Sequence, residues 1–257
     1  MRNICRVDIL GCPFDAISFR DTVEQIREAV KTGSRLQVVP GSIDFVVKAR
    51  RDKSFAELLR STDLIIADGV PIVWSASLLG TPIRGRVSGT ELVWKCAAVS
   101  AETHCKVALI GAAPGVAARA ALNMMRRSPG AIVEAIPTPF PLGRIESLEV
   151  AERVRELGAA IVLVALGAPK QERWVSGYLE ACGSSVGIGV GSAFDIISGD
   201  KPRAPGWVQS VGMEWFYRTL LEPRRLGRRY FVEDSPFLLY LAGAVMRSRL
   251  GIKWGRA

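Results

Sequence analysis

A carboxylate stands in Ala67-Asp68-Gly69-Val70-Pro71, directly behind the apolar run 63–67. A carboxylate at the exit of a strand is placed where open α/β sheets bind ligands. Asp68 there could act as a general base, or Asp68 or Gly69 could cap a helix over 70–79. Arg86 precedes Ser88-Gly89-Thr90, whose hydroxyls are plausible helix caps, and an arginine beside a helix start can hold an anion or simply be solvated. Gly111-Ala112-Ala113-Pro114-Gly115 follows another apolar run and opens a helix, either cradling a phosphate or making a tight turn; it carries neither of the usual glycine-rich phosphate motifs. Gly167-Ala168-Pro169-Lys170-Gln171-Glu172-Arg173-Trp174 crowds charges and one amide, Gln171, onto a further strand exit, where a polar first helical turn is the simpler alternative. Gly187, Gly189 and Gly191 alternate towards Asp195, which could hold a ribose or a base edge. Such glycines allow close approach of a ligand or tight packing at a strand end. Arg218, Arg224, Arg225, Arg228 and Arg229 stand among Trp215, Phe216, Tyr217 and Tyr230; guanidinium forks fit phosphate oxygens.

Those residues need a scaffold, and the hydrophobic pattern supplies one. Apolar runs at 4–9, 35–39, 63–67, 106–111, 131–136, 160–166 and 185–190 read as strands. Several are apolar on both faces, as in a sheet covered on two sides. Helix-period segments fall between them at 18–32, 52–61, 70–79, 89–103, 114–127, 147–157 and 169–182. The alternation predicts an α/β protein: a Rossmann-like, open, mostly parallel sheet with helices on both faces. Past residue 200 the strands stop. Prolines 202, 205, 223 and 236 punctuate what reads as a basic helical appendage, giving a body over 1–200 and an appendage over 201–257.

Composition narrows the function. The chain has 257 residues with 34 Lys and Arg against 25 Asp and Glu, a net charge of +9 that favours anionic partners. Its single histidine, His104, rules out a multi-histidine metal centre and reads as a loop residue ahead of a strand. Five cysteines without a C-x-x-C pair read as reduced thiols. The longest apolar stretch, 236–246, has 11 residues, too short to span a bilayer but suited to a buried or interfacial helix. With the arginines beside it, that helix reads as a membrane-facing surface rather than a nucleic-acid motif.

Several blocks, in order, resemble the bacterial WecG/TagA/CpsF glycosyltransferases: A-D-G at 67–69, R-V-S-G-T-E at 86–91, G-A-P-K-Q-E-x-W at 167–174, G-V-G-S-A-F-D…G-D-K-P-R-A-P-x-W at 189–207, and E-W-F-Y-R…E-P-R-R-L-x-R-R-Y at 214–230. The resemblance runs from roughly Val38 to Asp234. It implies an inverting transferase that moves a sugar from a UDP donor to a polyprenyl-diphosphate-linked sugar. By the same resemblance Asp68 is the base, and Arg86 and Gln171 contact substrate. Gly189, Gly191 and Asp195 form the nucleotide end, to which the phosphate-cradle reading of the 111–115 loop adds Gly111. Arg218, Arg225 and Arg228 close over the diphosphate at the membrane. No D-x-D pair is present to carry a metal, so arginines are expected to balance the leaving group and no cofactor is expected. The family's Thr-x-Asn pair is replaced by Pro40 and Ser42, which leaves N-acetylmannosamine and a hexose or uronic acid both open as the donor sugar. The expected location is the inner face of the cytoplasmic membrane, with a second copy of the chain as a possible partner. The rival readings are a non-catalytic nucleotide- or lipid-binding module on the same scaffold and a nucleic-acid-binding protein.

Overall fold

Alternate residues of the central strands point to opposite layers, so each strand is apolar on both sides. In the computed structural model, which describes residues 4–206, 208, 213–223, 227–228 and 232–249, these strands form one six-stranded parallel sheet. They are β3 (Leu36–Gly41), β4 (Leu64–Ala67), β5 (Lys106–Gly111), β6 (Ile132–Ile136), β7 (Ala159–Ala165) and β8 (Val186–Gly189). Their order is β4-β3-β8-β7-β5-β6. One face carries Val38, Ile66, Leu109, Leu163 and Ile188, packed under α1 (Phe19–Thr32), α5 (Gly89–Thr103), α6 (Val116–Arg127) and α9 (Ala193–Ile197). The other face is covered in two parts. Towards β6 lie α7 (Arg144–Leu157) and α8 (Lys170–Tyr178), over Ala108, Ile110, Val162 and Val164. Towards β4 lie α2 (Ile43–Arg51), α3 (Lys53–Ser61) and α4 (Val70–Leu78), over Val39, Ile65 and Ala67.

The expected strand at 4–9 is shorter and belongs elsewhere. It is β1 (Arg6–Ile9), which pairs antiparallel with β2 (Cys12–Asp15) in a separate hairpin. Leu10 and Gly11 both have positive φ, 58° and 89°, the backbone that a two-residue hairpin turn needs. Asp15 Oδ2 accepts the Ile65 N–H at 2.7 Å and ties the hairpin to β4, which edges the parallel sheet.

The hydrophobic pattern ends a strand at 39 and places the next helix at 52–61, without α2. The strand in fact runs on through Pro40 and Gly41, and α2 starts two residues later with Phe45, Val46, Val47 and Ala49 buried. Pro40 has no N–H to give, and it lies beyond the last β3–β8 pairing, Val38 opposite Ile188, where β3 is bonded on one side only. Asp52 then ends α2 with its N–H on Lys48 O and starts α3 with its side chain on the Phe55 N–H. His104 closes α5 in the left-handed conformation, φ 56°, two residues ahead of β5. All five cysteines are free.

Beyond residue 200 no strand occurs among the described residues. Two helices stand out there, α10 (Glu214–Leu221) and α11 (Pro236–Arg249). Phe237 and Ala244 of α11 are buried in the same cluster as α2 and the β1–β2 hairpin, and α11 packs on α2. Leu238, beside Phe237, and Leu239, on the far side of α11, are 68% and 76% exposed, and Leu238 also lines the strand-end cleft described below. No helix among the described residues is long and apolar enough to cross a membrane.

Candidate functional site

All six parallel strands end on the same edge of the sheet, and a cleft of about 1140 Å³ opens there. It is large for a single small-molecule pocket. Ser42 after β3, Asp68 after β4 and Gln171 at the start of α8 line it. So do Arg86, Gly189, Gly191 and Asp195. Residues scattered over some 150 positions of sequence are thus brought to one place by strand direction alone.

Asp68 does not cap the helix that follows it. Gly69, with φ 124°, is the cap residue of α4 and offers no side chain. The Asp68 backbone N–H is held by Gly41 O at 2.8 Å, which continues the β3–β4 pairing one step past the strand. Its carboxylate turns across the cleft, where Oδ2 accepts the N–H of Gly89, the first residue of α5, at 3.3 Å. Ser88, the cap residue of α5, makes no side-chain capping bond, so Asp68 serves one of the orphan amides of that helix from another strand. Gly89 has little room for a side chain, since a Cβ there would sit 3.1 Å from Asp68 Oδ2. Ser42, at the start of α2, likewise makes no capping bond and lines the cleft.

Arg86 reaches the C-terminal segment: its guanidinium pairs with Glu214 of α10 at 3.4 Å. Asp195 pairs with Lys201 at 2.9 Å, and Lys201 also meets Glu222 at 3.2 Å. Lys48 of α2 holds Asp44 Oδ2 at 2.8 Å and Ala168 O at 2.9 Å. Lys48, Arg86 and Lys201 are the three cations on the described wall of the cleft, against seven carboxylates. Arg228 pairs with Glu233, a carboxylate on the rim, at 3.5 Å. Arg218 lies in α10, but its side chain, like the whole of Arg225, lies outside the described residues. Among the described residues no cluster of three or more His, Cys, Asp or Glu side chains is arranged to hold a metal ion.

Gln171 is buried, and its amide is engaged by protein groups. Oε1 accepts the N–H of Gly167 and of Gly191, both at 3.1 Å, and Nε2 donates to Glu172 Oε1 at 2.7 Å. The alternating glycines mainly make room for α8. A Cβ at Gly187 would run into Val175, and one at Gly189 would lie 2.7 Å from both Gln171 Nε2 and Glu172 Oε1. Gly111 does not line the cleft, although the next two residues, Ala112 and Ala113, do. Its N–H is taken by Thr138 Oγ1 at 3.0 Å, and a Cβ on it would come within 2.6 Å of Ala165 O, which is the tight-turn reading of that loop.

The sequence reading passed over Lys48, Asp44 and Glu172. The spacing of four between Asp44 and Lys48 was a readable helical ion pair. Nothing local marked Glu172 as fully buried, for it lies among Lys170, Arg173 and other polar residues. Burial pushes its carboxyl up to about 7, against a smaller opposing pull from the Gln171 hydrogen bond and Lys48.

With this geometry in view, comparison with known proteins gives a coherent result. The model of the glycosyl transferase WecG/TagA/CpsF family matches residues 7–251. Among curated proteins, the N-acetylglucosaminyldiphosphoundecaprenol N-acetyl-beta-D-mannosaminyltransferases of Staphylococcus aureus strains NCTC 8325 / PS 47, COL and MRSA252 are each 30% identical to this chain over 242 residues. The matched region covers 93% of this chain and 92% of each relative.

Proposed function

The chain belongs to the glycosyl transferase WecG/TagA/CpsF family, and from that premise we propose that it moves a sugar, with inversion, from a UDP-sugar to a polyprenyl-diphosphate-linked sugar. The observation that carries this reading is Asp68, on the wall of the strand-end cleft, with its carboxylate held by the start of α5. In the reaction an acceptor hydroxyl attacks the anomeric carbon. The new C–O bond forms as the bond to the diphosphate oxygen breaks. The hydroxyl proton passes to Asp68, and the electron pair leaves on UDP. A base fixed before substrate arrives lowers the barrier by orientation as well as by proton affinity.

The leaving diphosphate needs positive charge. The described wall is richer in carboxylates than in cations, so the charge is assigned to the C-terminal arginines Arg218, Arg225 and Arg228, without a metal. The relatives' name supplies N-acetylmannosamine as the donor sugar and N-acetylglucosaminyldiphosphoundecaprenol as the acceptor. Pro40 and Ser42 on the cleft wall place a second donor class, a hexose or uronic acid, beside N-acetylmannosamine, because a proline offers a sugar no hydroxyl and no N–H. The exposed leucines of α11, Leu239 on the side away from the buried Phe237 and Leu238 at the cleft mouth, support docking at the inner leaflet, where the acceptor's lipid lies. The test is UDP release from a panel of UDP-sugars, with and without the lipid-linked acceptor, in detergent. Acceptor-dependent release from one donor is the expected result. UDP binding with no release from any donor would replace this reading with that of a binding module.

A further inference from the structure

Glu172 is fully buried, 0% exposed, one residue beyond Gln171. Its Oε1 accepts from Gln171 Nε2 at 2.7 Å, while its Oε2 has no hydrogen-bond partner among the described residues. Gln171 in turn spends its carbonyl oxygen on two backbone amides. One is Gly167, in the loop after β7; the other is Gly191, in the loop after β8. Both glycines line the cleft, and both have positive φ, 78° and 52°. A carboxamide turned end for end keeps its shape but exchanges acceptor for donors. Turned over here, Gln171 would set an NH₂ group against two N–H donors. The two N–H donors and the acceptor opposite Nε2 thus favour the same amide orientation, and the acceptor completes it.

We propose that Glu172 is a positioning residue of the cleft: by accepting from Gln171 Nε2, it locks the amide in the one orientation that ties the loops after β7 and β8 to each other. Gly189 supports this assignment, since it clears the space in which the two side chains meet. The charged groups that act on Glu172 come from α2. They are Lys48, already committed to Asp44 and to Ala168 O, and Asp44 itself. Glu172 is thus left without an ion-pair partner of its own, and burial holds its carboxyl near 7. The effect on turnover rests on the transferase reading of the cleft; the effect on the loops does not.

The full-length protein is compared with Glu172→Gln, whose carbonyl can still accept, and with Glu172→Leu, which cannot. Two quantities are read: amide hydrogen exchange at Gly167 and Gly191, and kcat/KM for acceptor-dependent UDP release. Glu172→Gln is expected to stay within about threefold of wild type in both, since the acceptor is retained. Glu172→Leu removes a buried charge but also leaves Gln171 Nε2 without its acceptor, so its effects on melting at pH 8 oppose each other. It should nonetheless lose about tenfold or more in protection at the two glycines and in kcat/KM. Wild-type protection at both glycines in Glu172→Leu overturns the proposal, as does a loss in Glu172→Gln as large as in Glu172→Leu. If Glu172→Leu fails to fold, Glu172→Gln decides alone: retention supports the lock, and loss of protection refutes it. If wild type itself releases no UDP, the transferase reading fails and hydrogen exchange alone decides the lock.

Discussion

Changing Glu172 to Gln should make the stability of this fold less dependent on pH, by an amount that follows from its burial. The carboxyl is raised from its ordinary 4.5 to about 7, first by desolvation. Between those two values the folded chain keeps a proton that the unfolded chain releases. Stability therefore falls as pH rises through that window and levels off above it. Over pH 5 to 8 the loss from this one group is about 2–3 kcal/mol. Glutamine has no proton to lose, so its stability relative to wild type should rise by the same amount across the range. Any constant difference, such as an unpaired amide N–H at the site of Oε2, drops out of that comparison. For a chain of this size the rise corresponds to about 5–10 °C in the difference of melting temperatures. The measurement is urea or thermal unfolding of both proteins at pH 5, 6, 7 and 8, at one ionic strength. A stability difference that stays flat within about 0.5 kcal/mol from pH 5 to 8 would show that Glu172 is not a buried neutral acid at low pH, and the argument from burial would fall.

Four further outcomes are expected. Asp68→Asn should abolish turnover while UDP affinity, by calorimetry, stays within about threefold, because the base acts on the acceptor hydroxyl and not on the nucleotide; retained turnover would remove Asp68 as the base. Gly187→Ala drives a methyl group against Val175 and to 3.0 Å from Leu179 Cδ1, and overpacking of that kind should cost about 1–3 kcal/mol in denaturant unfolding. The double variant Leu238→Ser/Leu239→Ser should leave the melting temperature nearly unchanged, since both side chains are exposed, while reducing cosedimentation with anionic liposomes; unchanged cosedimentation would refute the role given to α11. Turnover in excess EDTA should equal turnover without it, and a loss restored by a divalent cation would transfer the diphosphate's charge balance from the arginines to a metal.

The sheet was legible because each central strand is apolar on both faces, a pattern that few other arrangements produce. Strand direction then did the rest: Asp68, Gln171 and Gly191 are far apart in sequence, yet each follows a parallel strand and so faces the same cleft. What stayed hidden depended on partners in space. The 4–9 run looks like any sheet strand, and only its turn at Leu10-Gly11 and the Asp15 bond to β4 send it to a separate hairpin. The strand predicted to end at 39 runs on through Pro40-Gly41, and the proline is tolerated because β3 has lost its β8 neighbour by that point. Asp68 was open between cap and base because the helix start it serves, at Gly89, lies 21 residues on. Glu172 carries no local sign of burial at all; it is the closeness of Gly189 that encloses it.

The pairing of the cleft's cations has a consequence for selectivity. Lys48, Arg86 and Lys201 each face a carboxylate before any ligand arrives. An anion that draws on one of these three, rather than on the C-terminal arginines, enters by exchange: it takes a cation from an acid that then needs hydration or another partner. A small free anion such as inorganic phosphate brings no other contact to offset that displacement. A larger ligand, such as the proposed UDP-sugar, would add apolar and hydrogen-bonding contacts along with the swap. The resting ion pairs thus act as a threshold that ligand size, rather than charge alone, must overcome.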